Sequence, residues 1–310
     1  MHRWILLVAL SWLVACGSKG ASAPGEKKLD LDSDPLALLP ASALIVANVD
    51  ARGIFDGTSV GPQIAALADR LVPLGNDAGF QAKRDVDRVV AGAYALTGTD
   101  VVAIVSGRFD ETKIAAVTKS RSGAPIIKTM YAGRATYAVG PSVYTVLTAR
   151  TLVAGSTDGV RRVLDRIATG KIERALPPWV VETLQTPGAE VAVAGDFATQ
   201  PLAAAAFGSI RLPWVEGLKV ARIIGNFDKP GMNVAATLTY GTPAQATSAA
   251  DGVRAITGWI KILGPLLGGI SLQTFDVQTS AADVQCKVAV DDQTLGTLMG
   301  LGTRLLPSSP

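Results

Sequence analysis

IIKTMYAGRATYAVGPSVYTVLTARTLVAGSTDGVRRVLDRIA, residues 126–168, decides the fold class. Four short runs rich in β-branched and aromatic residues follow one another: Ile126–Tyr131, Arg134–Val139, Ser142–Thr148 and Leu152–Gly155. Tight turns such as Gly140-Pro141 separate them, which is the signature of successive strands. Strands joined by so little chain pair antiparallel, because a parallel pair needs a long crossover. The period then changes. In Asp158–Ala168 the apolar residues Val160, Val163, Leu164 and Ile167 share one face of a helix. Antiparallel strands with helices packed on one face make an α+β protein.

The same alternation extends outward. Upstream, Ala43–Val49 predicts a strand, and Gly61–Val72 predicts a helix with Pro62 in its first turn and Ile64, Leu67, Leu71 and Val72 on one face. Val86–Leu96 and Val101–Gly107 predict strands, with a helix from Asp110. Downstream, Pro177, Pro178 and Pro187 bracket a short helix around Trp179–Leu184. Beyond that seam the pattern recurs. Ala43–Asp50 (ALIVANVD) lines up with Ala189–Asp196 (AEVAVAGD), and Val101–Asp110 with Met232–Tyr240. The strand pair ending at Gly155 and its helix line up with strands near Ile270–Val277 and Asp283–Val290 and a helix from Gln293. The expectation is two similar modules, 36–188 and 189–310, of mainly antiparallel sheet with helices on one face.

The N-terminus, MHRWILLVALSWLVACG, has a short basic start and an apolar run too short to span a bilayer, as in a secretory signal peptide. Leu13-Val14-Ala15-Cys16 resembles the lipobox of bacterial lipoproteins. That resemblance implies cleavage after residue 15, lipidation of Cys16 and attachment to a membrane through two or three acyl chains. Gly17 is not the aspartate that favours inner-membrane retention in that family. The address implied is therefore the outer membrane facing the periplasm, or the outer face of a single-membrane cell. Residues 16–35 are small, polar and charged, and read as a flexible tether. The segments DVDRVVAGAY, VVAIVSGRFD and VAGSTDGVRRVLDRI also look loosely like uncharacterised secreted lipoproteins of duplicated α+β type, a resemblance that implies no activity.

Subtraction limits the chemistry. The only histidine, His2, leaves with the signal peptide. Without imidazole there is no Ser–His or Cys–His nucleophile and no His-ligated metal site. Residues 1–15 hold one arginine and no acidic residue, so 28 Lys and Arg remain against 26 Asp and Glu. A balance so even gives no electrostatic case for nucleic acid. With Cys16 lipidated, Cys286 has no partner, and the alternation of Asp283–Val290 places its thiol on a buried strand face.

The remaining motifs read as structure. Gly57-Thr58-Ser59-Val60-Gly61 is a literal G-x-S-x-G, but no strand leads directly into it and no base exists for Ser59, so Ser59 or Thr58 is expected to cap the next helix. Asp30, Asp32 and Asp34 lack the glycine and glutamate of a calcium loop, and Asp291-Asp292 suit a helix start. The basic stretch around Arg161, Arg162, Arg166, Lys171 and Arg174 reads as a solvated face with an Arg161–Asp165 pair and an Arg162–Arg166 repulsion. Asp251–Gly269 is apolar nearly all round, and the last helix adds further leucines. Together they give a candidate apolar binding surface of Ile256, Trp259, Ile260, Leu263, Leu266, Leu298 and Met299, set against core packing. No catalytic residue, metal ligand or cofactor is expected. Three functions fit: a non-catalytic lipid-anchored envelope protein that docks a partner, a carrier of a lipid or other apolar ligand, and a histidine-independent carboxylate enzyme.

Overall fold

The structure, a computed structural model, describes residues 30–305 except 73, 75, 97–99, 203–211, 230 and 265–268. The signal peptide, Cys16 and most of the expected tether lie outside the described residues. From Leu31 onward the chain forms one unit. Residues 31–35, read as the end of the tether, are docked onto it. Leu31 is buried, Asp32 accepts hydrogen bonds from Thr148 and Thr151 (2.5 and 2.6 Å), and Asp34 pairs with Arg174 at 2.6 Å. Charged side chains with fixed partners order a segment that composition alone leaves free.

The elements of the first half run α1 (Pro35–Leu38), β1 (Ile45–Val49), α2 (Ala51–Gly57), α3 (Gly61–Leu71), α4 (Ala82–Asp85), β2 (Val86–Ala93), β3 (Val101–Gly107) and α5 (Glu111–Ala116). They continue with β4 (Ile127–Tyr131), β5 (Arg134–Val139), β6 (Ser142–Val146), β7 (Thr151–Ser156) and α6 (Thr157–Ala168). The rest comprises α7 (Pro178–Leu184), β8 (Val191–Asp196), β9 (Leu218–Asn226), β10 (Gly231–Tyr240), α8 (Pro243–Leu263), β11 (Thr274–Ser280), β12 (Asp283–Asp291) and α9 (Asp292–Leu305).

All the strands form a single sheet in the order β11-β12-β10-β9-β8-β1-β2-β3-β7-β6-β5-β4. Every neighbouring pair is antiparallel. The order reads alike in both directions from the centre. β1 and β8 pair with each other, Ile45 opposite Gly195 and Val49 opposite Val191. Outside them stand β2 and β9, then β3 and β10, then β7 and β12, then β6 and β11. The hairpin β4–β5 is the extra piece of the first half. No break in the sheet separates residues 36–188 from 189–310; the β1–β8 ladder joins them.

The protein is α+β, with helices against the sheet. In the C-terminal half they lie on one face, where α8 packs Ala246, Ala249 and Ala250 against Leu238, Val284 and Cys286. In the N-terminal half they lie on both. α1, α6 and α7 cover the face of Val46, Val90, Ile104 and Val153, and α2 to α5 lie over the opposite face. The physical reason is visible in β3, whose VVAIV run is apolar at consecutive positions and so offers both faces for burial.

Four elements were not expected: the single turns α1 and α4, and the longer α2 and β9. β9 (LKVARIIGN) hides its alternation because Arg222 stands among apolar residues; its guanidinium lies 5.3 Å from the ring of Trp179 on α7. α2 contains two glycines, but Asp50 caps it by accepting the Gly53 N–H at 3.1 Å. Cys286 is buried on β12 as its alternation predicts, and desolvation raises its pKa.

Candidate functional site

The two faces of the central strands differ. On the side of α1, α6 and α7 packing is complete: Val46 and Val90 are 2 % exposed, Val102 1 %, Ile104 and Val153 0 %. Residues at odd spacing from them on the same strands, Val49, Val89, Ala103, Val105 and Ala154, point the other way and remain partly accessible, although helices lie over them. A filled core would bury them. Between this face and α2, α3 and α4 is a cavity of about 430 Å³. That falls within the ~300–1,000 Å³ range of small-molecule sites.

Its floor is the five sheet residues just named, with Val86 from β2 and Leu152 from β7. Its roof is Ala51, Ile54 and Phe55 of α2, Ile64 and Ala68 of α3, and Ala82 of α4. Val72, Leu74, Phe80, Phe109 and Tyr144 close the sides. The phenylalanines stack on each other, their centroids 6.4 Å apart and their planes within 12°.

Among the described residues that line the cavity, Tyr144 alone has a polar side-chain atom. It is 1 % exposed, and its hydroxyl has no hydrogen-bond partner among the described residues. Its ring stacks on Tyr137 at 5.2 Å. Burial raises its pKa, so the phenol stays neutral at physiological pH. A buried donor without an acceptor costs roughly 1–3 kcal/mol.

Polar contacts fix the walls from outside. Arg52 on α2 reaches Asp87 on β2 at 2.5 Å. The Ala82 N–H at the start of α4 donates to Asp69 at 2.7 Å. Asp85, 6 % exposed, accepts from Arg84 and from the Gln81 N–H at 2.9 Å. Burial alone would raise the Asp85 pKa, but the Arg84 hydrogen bond, the Gln81 N–H and the charges of Arg84 and Arg108 outweigh it and hold it below the ordinary value.

The G-x-S-x-G stretch is the corner between α2 and α3. A Cβ on Gly61 would lie 2.5 Å from the Phe55 carbonyl oxygen, so the corner requires glycine. Neither Ser59 nor Thr58 caps α3, whose N-cap position is Val60, with no side-chain cap. Ser59 instead donates to Asp292 at 2.7 Å, and Thr58 to the Ile54 carbonyl at 2.9 Å. The Ser59 bond and the buried contact of Val60 with Val290 and Leu295 tie this corner to the C-terminal half.

The other polar motifs fall elsewhere. Asp291 caps α9 as expected, accepting the Thr294 N–H at 2.7 Å. Arg161 and Asp165 meet through a third residue, Tyr131, which donates to Asp165 at 3.0 Å and lies 5.1 Å from the Arg161 guanidinium. Arg162 is paired with Asp100 at 2.5 Å and stacked over Tyr94, while Arg166 donates to the carbonyls of Ala37 and Glu173. Those partners relieve the expected repulsion. Among the described residues no three Cys, Asp or Glu gather as metal ligands would.

The apolar surface named from the sequence lies in the other half, and none of its residues lines the cavity. Ile256, Trp259 and Leu263 belong to α8, but their side chains are outside the described residues, as is Leu266 altogether. Ile260 is half-buried on α8; on α9 Leu298 is 43 % exposed and Met299 half-buried. Sequence reasoning missed the cavity because its lining comes from separate short segments, each of which reads as ordinary core. The one available signal was the small size of Ala103 and Ala154 at apolar-face positions of β3 and β7.

No family model matches the sequence, and no curated protein matches it. Solved structures do share its fold. Crystal form III of TP0453, a Treponema protein, is 13 % identical with a TM-score of 0.53, covering 87 % of this chain and all of that one. Crystal form I is 12 % identical with a TM-score of 0.50, covering 86 % of this chain and 97 % of that one. Among the described residues, no helix is long and apolar enough to cross a membrane.

Proposed function

We propose that this chain is a non-catalytic, lipid-anchored cell-envelope protein whose N-terminal half binds an apolar ligand. The carrying observation is the contrast between the two faces of the same strands, one sealed and the other left open around about 430 Å³ of apolar space. At roughly 30 Å³ per water-sized group, this corresponds to about fourteen such groups, the size class of one acyl chain. Such a space is too small for a helix of another envelope protein, the alternative occupant. Apolar surroundings favour any hydrocarbon by about 25 cal/mol per Å² removed from water.

The lipobox-like segment ending in Cys16 supports attachment through acyl chains to the outer membrane, facing the periplasm. The absence of histidine from the mature chain supports binding without catalysis. Asp85, the buried carboxyl beside the cavity wall, is displaced toward the ionised form, the opposite of the protonated acid a carboxylate enzyme needs.

The test is binding of a fluorescent fatty acyl probe to the full chain, with lipids extracted from the purified protein and identified by mass. Native protein should bind one probe per chain, and Ala103→Trp, which places an indole in the cavity, should abolish binding while leaving the circular dichroism unchanged. Equal binding by the two proteins would overturn the assignment.

A further inference from the structure

Phe80 and Phe109 line two spaces at once. One side is the apolar cavity; on the other they border a surface cleft of about 570 Å³. The cleft is cationic: Arg84, Arg108, Lys113 and Arg150 line it against Asp85 and Asp110. Two of the cations are neutralised where they stand, Arg84 by Asp85 at 2.7 Å and Lys113 by Asp110 at 3.3 Å. The other two are not. Arg108 donates to the Arg84 carbonyl and has no carboxylate within ion-pair distance among the described residues. Arg150 reaches only Asp87 at 3.9 Å, and that carboxylate is already held by Arg52 at 2.5 Å. A surplus of positive charge thus sits at one end of an uncharged apolar cavity, with Phe80 and Phe109 bordering both spaces.

We propose that the ligand is a single-chain amphiphile with an anionic phosphate head, a lysophospholipid, its chain in the cavity and its phosphate held by Arg108 and Arg150 in the cleft. This rests on the reading of the cavity as an acyl-chain site. The head is assigned as phosphate because these two guanidiniums, neither held closely by a carboxylate of its own, present forked donors that match phosphate oxygens, and because the cleft exceeds the needs of a bare carboxylate. A single chain follows from the size of the cavity.

The experiment uses the full chain carrying Cys16→Ser, so that its own acyl chains do not compete. Three probes are titrated, the lipids below their micellar concentrations: palmitoyl lysophosphatidylglycerol, monopalmitoylglycerol, which has the same chain and no charge, and glycerol 3-phosphate, which has a phosphate and no chain. The charged lipid should bind roughly tenfold tighter than the uncharged one at low salt, the preference shrinking as salt screens the head. Arg108→Gln with Arg150→Gln should erase that preference and leave monopalmitoylglycerol affinity unchanged, which also shows the variant is folded. Equal affinity for the two lipids in the native protein would overturn the charged-head assignment while leaving the cavity reading intact. Tight binding of glycerol 3-phosphate alone would overturn it too, by making the cleft a site for a free phosphate. If neither lipid bound, the cavity reading itself would fail.

Discussion

Enlarging an inward-facing alanine has opposite consequences on the two faces of the central sheet. Ala103 faces the cavity and is partly accessible; Ala192 faces the sealed side and is 1 % exposed. Replacing Ala103 by leucine adds three carbons to space that is already there. At about 0.8 kcal/mol per carbon buried, the gain has a ceiling of about 2.4 kcal/mol. Fixing the new side chain takes back about 0.5–1 kcal/mol, leaving about 1.5 kcal/mol of stabilisation. The same change at Ala192 meets close-packed neighbours and should cost about 1–3 kcal/mol. Urea unfolding reads both, through shifts in midpoint at constant slope. Thermal unfolding should move up by about 3–6 °C for Ala103→Leu and down for Ala192→Leu. Ligand affinity should fall only in the first variant. Should Ala103→Leu destabilise the protein as much as Ala192→Leu, the cavity is a well-filled core and the reasoning from accessibility is wrong.

Other predictions concern single groups. Tyr144→Phe removes a hydroxyl without a partner among the described residues, so unliganded protein should be about 1–3 kcal/mol more stable; a loss of stability in urea titration would mean the hydroxyl is bonded. Asp85 has a lowered folded pKa, so its contribution is complete above the ordinary carboxylate range near ~4 and is lost as pH falls through the folded value. Asp85→Asn should therefore reduce stability at neutral pH and flatten the acid limb of a stability–pH curve; an unchanged limb would assign the acid sensitivity elsewhere. Cys286, buried with a raised pKa, should resist a thiol reagent at pH 8 until urea unfolds the chain; prompt labelling of native protein would contradict its burial. Cys16→Ser should release the protein from sedimented membranes, since a lone apolar cavity gives no durable anchorage; continued sedimentation with attached acyl mass would refute lipidation at Cys16.

Much of the fold was legible because it is local. The turns at Gly140-Pro141 and the alternation of β5, β6, β7 and β12 depend only on neighbours in the sequence, and those strands lie where the pattern puts them. The correspondence of Ala43–Asp50 with Ala189–Asp196 holds in space as the β1–β8 ladder. What stayed hidden depends on distant residues. Arg222 disguises β9 until Trp179 is seen above it. The second helical layer on β3 needs knowledge of which helices return to which face. The cavity is the extreme case, since emptiness is a relation among many side chains and no residue in the sequence encodes it. Long apolar stretches point instead to α8 and α9, none of whose residues lines the cavity.

The central ladder has one more consequence. β1 and β8 are the opening strands of their respective halves, and they meet main chain to main chain. Each half therefore offers at that margin the same kind of docking edge that it receives. A chain severed near Pro187 should reassemble from its two fragments when they are mixed. An N-terminal fragment left alone should find a copy of itself across β1, forming a symmetric dimer that mimics the intact protein.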